Sequence, residues 1–238
     1  MEMNKKGLTS ALAVSVLSLS LGGRLFAAGA DFGDLSGVAG REKIESLKSE
    51  GLVKGVSDTS FNPKAALTNA QGIQFIAGGL RLSLAAVTFE AGKVPTASDL
   101  FPAASDDAWY AEAFVNAHFN GVEIPESVDP SARMTKETYT HYLMQGLEKA
   151  GNLPLINIKP QPIADEGELT AEYQGSIQRA LFRGIVQLDA DGEFRPKASI
   201  TRAEAAVMLY DALEFLKRQP DAPAPLPENP GGPERPAE

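Results

Sequence analysis

One cation lies where it opposes the local electrostatics of a predicted helix. Thr201 and Glu204 have the spacing of a capping box, so a helix is expected to begin at Arg202. A guanidinium in the first turn is unfavourable beside the positive end of the helix dipole. Arg202 therefore needs another reason to be there, and two are open: a ligand anion, or an acid with which it pairs at the surface.

The same kind of helix start occurs twice more, at nearly constant intervals. Thr68 is followed three residues later by Gln71, which completes a second capping box before an apolar helical stripe. Thr135 precedes a third stripe, although Thr138 cannot close the box. The threonines at 68, 135 and 201 are 67 and 66 residues apart. This spacing indicates an internal repeat, which would determine the architecture of the chain.

A second shared pattern precedes each of these threonines. A helical periodicity ends at a glycine, and a proline-containing loop then leads to the threonine. The glycines are Gly51, Gly121 and Gly184, which lie 17, 14 and 17 residues before their threonines. Each unit is thus predicted to be a helix, a glycine stop, a loop and a capped helix. Such a unit is too small to bury its own apolar face, so the three should pack together.

These patterns resemble the S-layer homology domain of bacterial surface proteins, present three times over about residues 31–216. The third copy is the most similar, in the run GIVQLDADGEFRPKASITRAEAAVMLYDAL that begins at Gly184. The resemblance implies an all-α fold of three helical pairs packed around a pseudo-threefold axis, with extended connectors. It also implies non-covalent anchoring to a cell-wall polysaccharide, often pyruvylated, in grooves between the repeats and without a cofactor.

The resemblance assigns ligand contacts to the residues that follow the three threonines. Arg202 offers a guanidinium that can hold a carboxylate by two hydrogen bonds, Lys136 a charge without that geometry, and Asn69 an uncharged amide. One good cleft, one weakened cleft and one doubtful cleft are therefore expected. Free N–H groups at the start of the Arg202 helix would add to the attraction. Alanine at Arg202 is expected to cause a clear loss of binding and to leave the unfolding temperature nearly unchanged.

The resemblance carries three further candidate residues. Asp34 and Asp165 lie two residues after the first apolar residue of units one and three. An aspartate there either caps the first helix of the unit or accepts hydrogen bonds from sugar hydroxyls. Trp109, the only tryptophan, either stacks on a sugar ring or belongs to the core.

The ends of the chain and its cysteine content predict an exported protein. A basic start, a short apolar run and an A-x-A sequence are typical of a secretory signal peptide. No cysteine is present, so neither disulfides nor a lipid anchor on cysteine are expected. We expect a secreted protein of the cell wall, S-layer or cell envelope, held there by binding. The predicted boundaries are a signal peptide at 1–30, units at 31–84, 85–150 and 151–218 (the last two with their connectors), and a proline-rich disordered tail at 219–238.

Charge and composition exclude several classes of function. The net charge of −9, or −11 once three basic and one acidic residue are removed with 1–30, argues against nucleic acid. It would also repel an acidic polymer, so local cationic clefts are required. The two histidines, His118 and His141, lie in helical patterns and no catalytic or metal motif is present, so no enzyme is expected. The acidic stretch 189–193 lacks the EF-hand register and is predicted to be a plain turn.

Two rivals to the anchoring hypothesis remain open at the level of sequence. The first is a structural or self-associating envelope protein in which the glycan sites have degenerated. The polar but uncharged Asn69 favours this rival. The second is a wall-modifying enzyme whose catalytic part is not recognised from its motifs.

Overall fold

The structure is a computed structural model that describes residues 31–89, 93–154 and 156–219. Within these ranges it is helical, with short 3-10 turns and isolated bridges but no β-strand, so the all-α prediction is confirmed. No helix in the described part is long and apolar enough to cross a bilayer. The predicted signal peptide and nearly all of the proline-rich tail lie outside the described residues. The helices are α1 Arg41–Ser49, α2 Asn69–Gly79, α3 Ala97–Leu100, α4 Ala111–Phe119, α5 Lys136–Ala150, α6 Ala171–Phe182 and α7 Arg202–Lys217.

The long helices begin where the threonines predict. Thr68 and Thr201 form complete capping boxes at the starts of α2 and α7. Thr135 also caps α5, but only one half of the box is present, because Thr138 replaces the Glu or Gln that would reach back. The three predicted glycine stops adopt the left-handed conformation, with φ of 70°, 82° and 70° at Gly51, Gly121 and Gly184.

A closed ring of backbone hydrogen bonds joins the three helix starts. The Leu67 N–H donates to the Ile200 carbonyl, Ile200 donates to Met134, and Met134 donates to Leu67, each at 3.0 Å. All three side chains are buried. Helices α2, α5 and α7 contact one another below this ring. Helix α4 packs on α2, α6 on α5 and α1 on α7. This connectivity is compatible with the pseudo-threefold packing of three repeats, which stays a prediction.

The two connectors differ in structure. The first includes the short helix α3, where Thr96 and Asp99 form another capping box, so it is not extended throughout. The described residues of the second, between Gly151 and Gln161, contain no helix or strand. The side chain of Gln178 binds the backbone N–H and the carbonyl of Gln161, which attaches the end of this connector to α6.

Candidate functional site

A cleft of about 550 Å³ lies between the loop after α1, the outer face of α2 and the start of α7. We call it the Arg202 cleft. Two cations, Lys54 and Arg202, line it, and none of the described residues that line it is acidic. Trp109 and Val56, which also line the cleft, are 63% and 61% exposed, unlike nearly all other large apolar side chains that the structure describes. The cleft thus combines positive charge with exposed apolar surface.

Arg202 is held by backbone carbonyls and aromatic rings rather than by an acid. Its Nε donates to the Phe61 carbonyl at 2.8 Å and its Nη2 to the Lys54 carbonyl at 3.0 Å. The guanidinium carbon lies 4.8 Å from the ring centre of Phe61 and 5.2 Å from that of Phe75. No carboxylate in the described part of the chain forms an ion pair with it. The alternative of a structural pair with an acid is therefore wrong, because carbonyls from another unit take that place.

The Arg202 guanidinium keeps free hydrogen-bonding capacity towards the cleft. Of its five N–H groups, two are used in the contacts above, so three remain. Every fully buried side-chain nitrogen or oxygen among the described residues has a partner, so Nη1, which has none, keeps some exposed surface, although Arg202 as a whole is only 7% exposed. Burial lowers the pKa of Arg202, and the charge of Asp34 opposes this shift. An arginine nevertheless stays charged in proteins, so a cation without an ion-pair partner among the described residues lines the cleft.

The predicted attraction by free N–H groups of the α7 N-terminus is wrong. The N–H of Arg202 donates to the Ala65 carbonyl at 2.9 Å, and that of Ala203 to the Pro63 carbonyl at 3.0 Å. The N–H of Glu204 donates to the threonine cap. The loop of unit one thus satisfies the groups that an anion would use. An anion in this cleft would therefore meet the Arg202 side chain and not these N–H groups.

A second cleft, of about 440 Å³, surrounds Lys136 and is lined by the starts of α1 and α5, the loop after α6 and the outer face of α7. The Lys136 Nζ lies 4.8 Å from the ring centre of Phe194, much as Arg202 lies over Phe61. Burial lowers the pKa of Lys136, and the negative charge of Glu204 opposes the shift. Lys43 and Asp211, also in the lining, form an ion pair at 2.6 Å. In this Lys136 cleft, the two lysines are balanced by the two acids of the lining, Glu204 and Asp211. The Arg202 cleft, in contrast, carries two positive charges.

The third position, at Asn69, is occupied by protein side chains. The Asn69 Nδ2 donates to the Asp129 carbonyl at 2.9 Å. On the outer face of α5, the His141 ring stacks on Tyr173 of α6 with 4.2 Å between ring centres, and its Nδ1 lies 2.9 Å from the Ser176 hydroxyl. These contacts fill the face that corresponds to the cleft faces of α2 and α7. No sequence signal predicted these contacts, because the pattern around His141 indicates only that it lies in a helix.

Asp34 and Asp165 hold the loops that carry the aromatic rings below the cations. Neither caps a helix, so that prediction is wrong: α1 and α6 have no side-chain cap. The Asp34 carboxylate accepts hydrogen bonds from the Phe61 N–H at 2.9 Å and the Asn62 N–H at 2.7 Å, which lower its pKa. Asp165 accepts from the next loop in the same way, from the N–H groups of Phe194 at 2.8 Å and Arg195 at 2.7 Å. The two carboxylates therefore position Phe61 and Phe194.

Trp109 lies at the rim of the Arg202 cleft and not in the core. The indole is 63% exposed, and its nearest aromatic neighbour is Tyr110, which meets it edge-on at 5.5 Å. The core alternative is therefore wrong. The sequence did not indicate the opposite wall of the cleft, formed by Gln74, Phe75 and Gly78 of α2. Their three- and four-residue spacing on one helix face was the available signal.

The acidic stretch 189–193 forms the predicted turn. The Asp189 carboxylate accepts the N–H groups of Asp191 and Glu193, both at 3.0 Å, and pairs with Arg195 at 2.7 Å. Gly192 supplies the left-handed residue of the turn, with φ of 78°. Across the residues that the structure describes, no group of three or more His, Cys, Asp or Glu side chains could hold a metal ion.

Comparison with known proteins agrees with this description. The S-layer homology domain model matches residues 31–71 and 162–206. These regions contain Arg202, Asn69, Asp34 and Asp165, whereas Lys136 lies outside them. The match covers two regions and does not include the middle unit, so a third copy of the domain stays a prediction. S-layer homology domains occur in proteins of the cell surface, so the predicted cell-surface class is confirmed at the level of this domain.

Three relatives are similar over most of this chain. The amylopullulanase of Thermoanaerobacterium thermosulfurigenes is 29% identical over 77% of the chain and 9% of its own length. The exoglucanase XynX of Acetivibrio thermocellus is 26% identical over 77% of the chain and 16% of its own length. The surface-layer 125 kDa protein of Lysinibacillus sphaericus is 26% identical over 80% of the chain and 15% of its own length. This chain thus spans less than a fifth of each relative, so their whole-protein activities are not transferred to it.

Proposed function

We propose that the protein attaches non-covalently to a polysaccharide of the bacterial cell wall, with the Arg202 cleft as its principal binding site. One observation carries the proposal: a guanidinium without an acidic partner, whose Nη1 is not fully buried, lines the same cleft as an exposed indole. A guanidinium binds a carboxylate by two charge-assisted hydrogen bonds. The indole offers an apolar face to a sugar ring. The S-layer homology match supports the same function.

The chemistry of this cleft favours an acidic sugar, and a pyruvyl ketal fits it well. Such a ketal places a carboxylate directly on a sugar ring, so one residue of the polymer meets both Arg202 and Trp109. In the proposed arrangement, three S-layer homology repeats surround a pseudo-threefold axis. The Lys136 cleft is a weaker second site, and Asn69 contributes little. Asp34 and Asp165 act by positioning the loops rather than by contacting the polymer.

Trp109→Ala gives the most direct test, because the exposed indole contributes little to the fold. The chain is sedimented with purified bacterial walls, with and without chemical removal of pyruvyl groups. We expect wild type to pellet with native walls, Trp109→Ala to bind about tenfold more weakly because stacking on a sugar is lost, and depyruvylated walls to release the protein. Phe182→Ala is the matched control, since Phe182 is 58% exposed on α6, away from the cleft lining. Wild type that stays in the supernatant, or Trp109→Ala that pellets like wild type, would contradict the proposal.

A second candidate is a structural or self-associating envelope protein. The occupied third position and the balanced charges of the Lys136 cleft favour it, since both reduce the capacity for an acidic glycan. It predicts a concentration-dependent oligomer in light scattering and no pelleting with walls. A wall-modifying enzyme is the third possibility, and clearing of peptidoglycan in a zymogram would reveal it.

A further inference from the structure

The Arg202 cleft continues past Trp109 along the groove between α2 and α4. A second cavity of about 300 Å³ shares Gln74, Gly78 and Trp109 with it. A third, of about 290 Å³, shares Glu112 and Asn116 with the second. Exposed surface therefore runs from the Arg202 guanidinium along α2 and beyond its end. This length suits an oligosaccharide better than a single sugar ring.

Arg81 lines the second cavity and has an unusual backbone conformation. It follows the last turn of α2 with φ of 52°, in the left-handed region. Asn152 takes the corresponding position after α5, with φ of 47°, and both N–H groups donate at 3.2 Å to a carbonyl three residues earlier. Asparagine and glycine adopt this conformation readily, whereas a residue such as arginine adopts it at a cost.

No ion pair or hydrogen bond of the Arg81 side chain with the described residues offsets this backbone strain. Glu112 lines the same cavity, but it forms no ion pair with Arg81. A strained residue whose side chain is free, beside a cleft, is a candidate for function rather than for folding.

We propose that Arg81 is a second anion-binding contact of the Arg202 cleft. The cleft then takes an oligosaccharide that carries an acidic group on each side of Trp109. Arg202 lines the first cavity and Arg81 lines the second, and the two cavities meet at Gln74, Gly78 and Trp109. Because each cation belongs to a different cavity, each is assigned its own acidic group. This inference rests on the proposed function and adds the minimum length of the ligand and its number of acidic groups.

Two probes of different length separate this second contact from the first. One is the methyl glycoside of a hexosamine with a single pyruvate ketal. The other is an oligosaccharide fraction, released from cell-wall polysaccharide, that carries at least two such ketals. Binding of both to the chain is measured by titration calorimetry for wild type, Arg81→Asn and Lys159→Asn. Asparagine at 81 copies Asn152 and keeps the turn, and Lys159→Asn removes an exposed charge elsewhere.

Arg81→Asn should bind the oligosaccharide about tenfold more weakly and the single sugar within about twofold of wild type. Its unfolding temperature should not fall, and Lys159→Asn should match wild type with both probes. Equal losses for the two probes, or no loss for either, would overturn the second contact. So would a wild type that binds both probes equally well, although the proposed function would then survive. If wild type binds neither probe, the proposed function fails as well.

Discussion

Replacing Arg202 by alanine separates its structural role from its binding role. The change removes the hydrogen bond to the carbonyl of Phe61, a residue with no exposed surface. An unsatisfied buried carbonyl costs about 1–3 kcal/mol. The carbonyl of the exposed Lys54 can bind water instead. The variant also avoids the free-energy cost of burying a cation. This gain offsets part of the stability lost with the contacts to the Phe61 and Phe75 rings. We therefore expect the free energy of unfolding to fall by about 2 kcal/mol.

For a domain of this size, that loss lowers the unfolding temperature by about 4–8 °C. It is measured by circular dichroism during heating, with the single-ketal sugar absent and then present. Lys136→Ala is the matched control, because Lys136 lies over a ring but donates no side-chain hydrogen bond to the described protein. This control should stay within about 2 °C of wild type. The sugar should raise the unfolding temperature of wild type and of Lys136→Ala, but not that of Arg202→Ala.

An unchanged unfolding temperature for Arg202→Ala would refute this reasoning. It would mean that the contacts to the Phe61 and Lys54 carbonyls contribute nothing to stability, as the sequence alone suggests. A sugar-induced rise in Arg202→Ala as large as in wild type would instead refute the binding role. The wall-binding assays of this variant are therefore best made well below its own unfolding temperature.

Two further predictions concern the helices around the clefts. Gly40→Ala should lower the free energy of unfolding, measured in urea, by about 2–4 kcal/mol. The reason is that φ at this position is 76° and the new Cβ would overlap Val207 Cγ2. A variant as stable as wild type would show that α1 and α7 can separate at no cost. Burial lowers the pKa of His141, so the unfolded chain takes up its proton more readily. The contribution of neutral His141 to stability should be complete above about pH 6.5 and fall as the pH drops below that value. His141→Gln should therefore reduce the difference between the urea midpoints at pH 7.5 and pH 5.5. An equal difference in wild type and variant would contradict this.

The sequence predicts those features that depend on residues close together in the chain. Thr68 and Thr201 bind partners three residues away, so spacing alone reveals both helix starts. The glycine stops follow from the left-handed conformation that ends a helix. The partners of Arg202 could not be predicted in this way, because its Nε contacts a carbonyl 141 residues earlier. Stacking of Tyr173 on His141 is equally non-local, since it depends on how α6 packs on α5.

Among the three units, the residue after the threonine and the loop residue that corresponds to Phe61 change in parallel. In the Arg202 and Lys136 clefts a cation lies over a phenylalanine two residues before a proline. At the third position the corresponding loop residue is Val128, and the residue after the threonine is the uncharged Asn69. Val128 offers no ring to a cation, and Asn69 instead donates a hydrogen bond to the Asp129 carbonyl. Under the proposed function, a chain of net charge −9 would hold an acidic polymer mainly through the Arg202 cleft. The proposed longer contact along that cleft, with Arg81 at its far end, would supply the affinity that three equal sites would otherwise share.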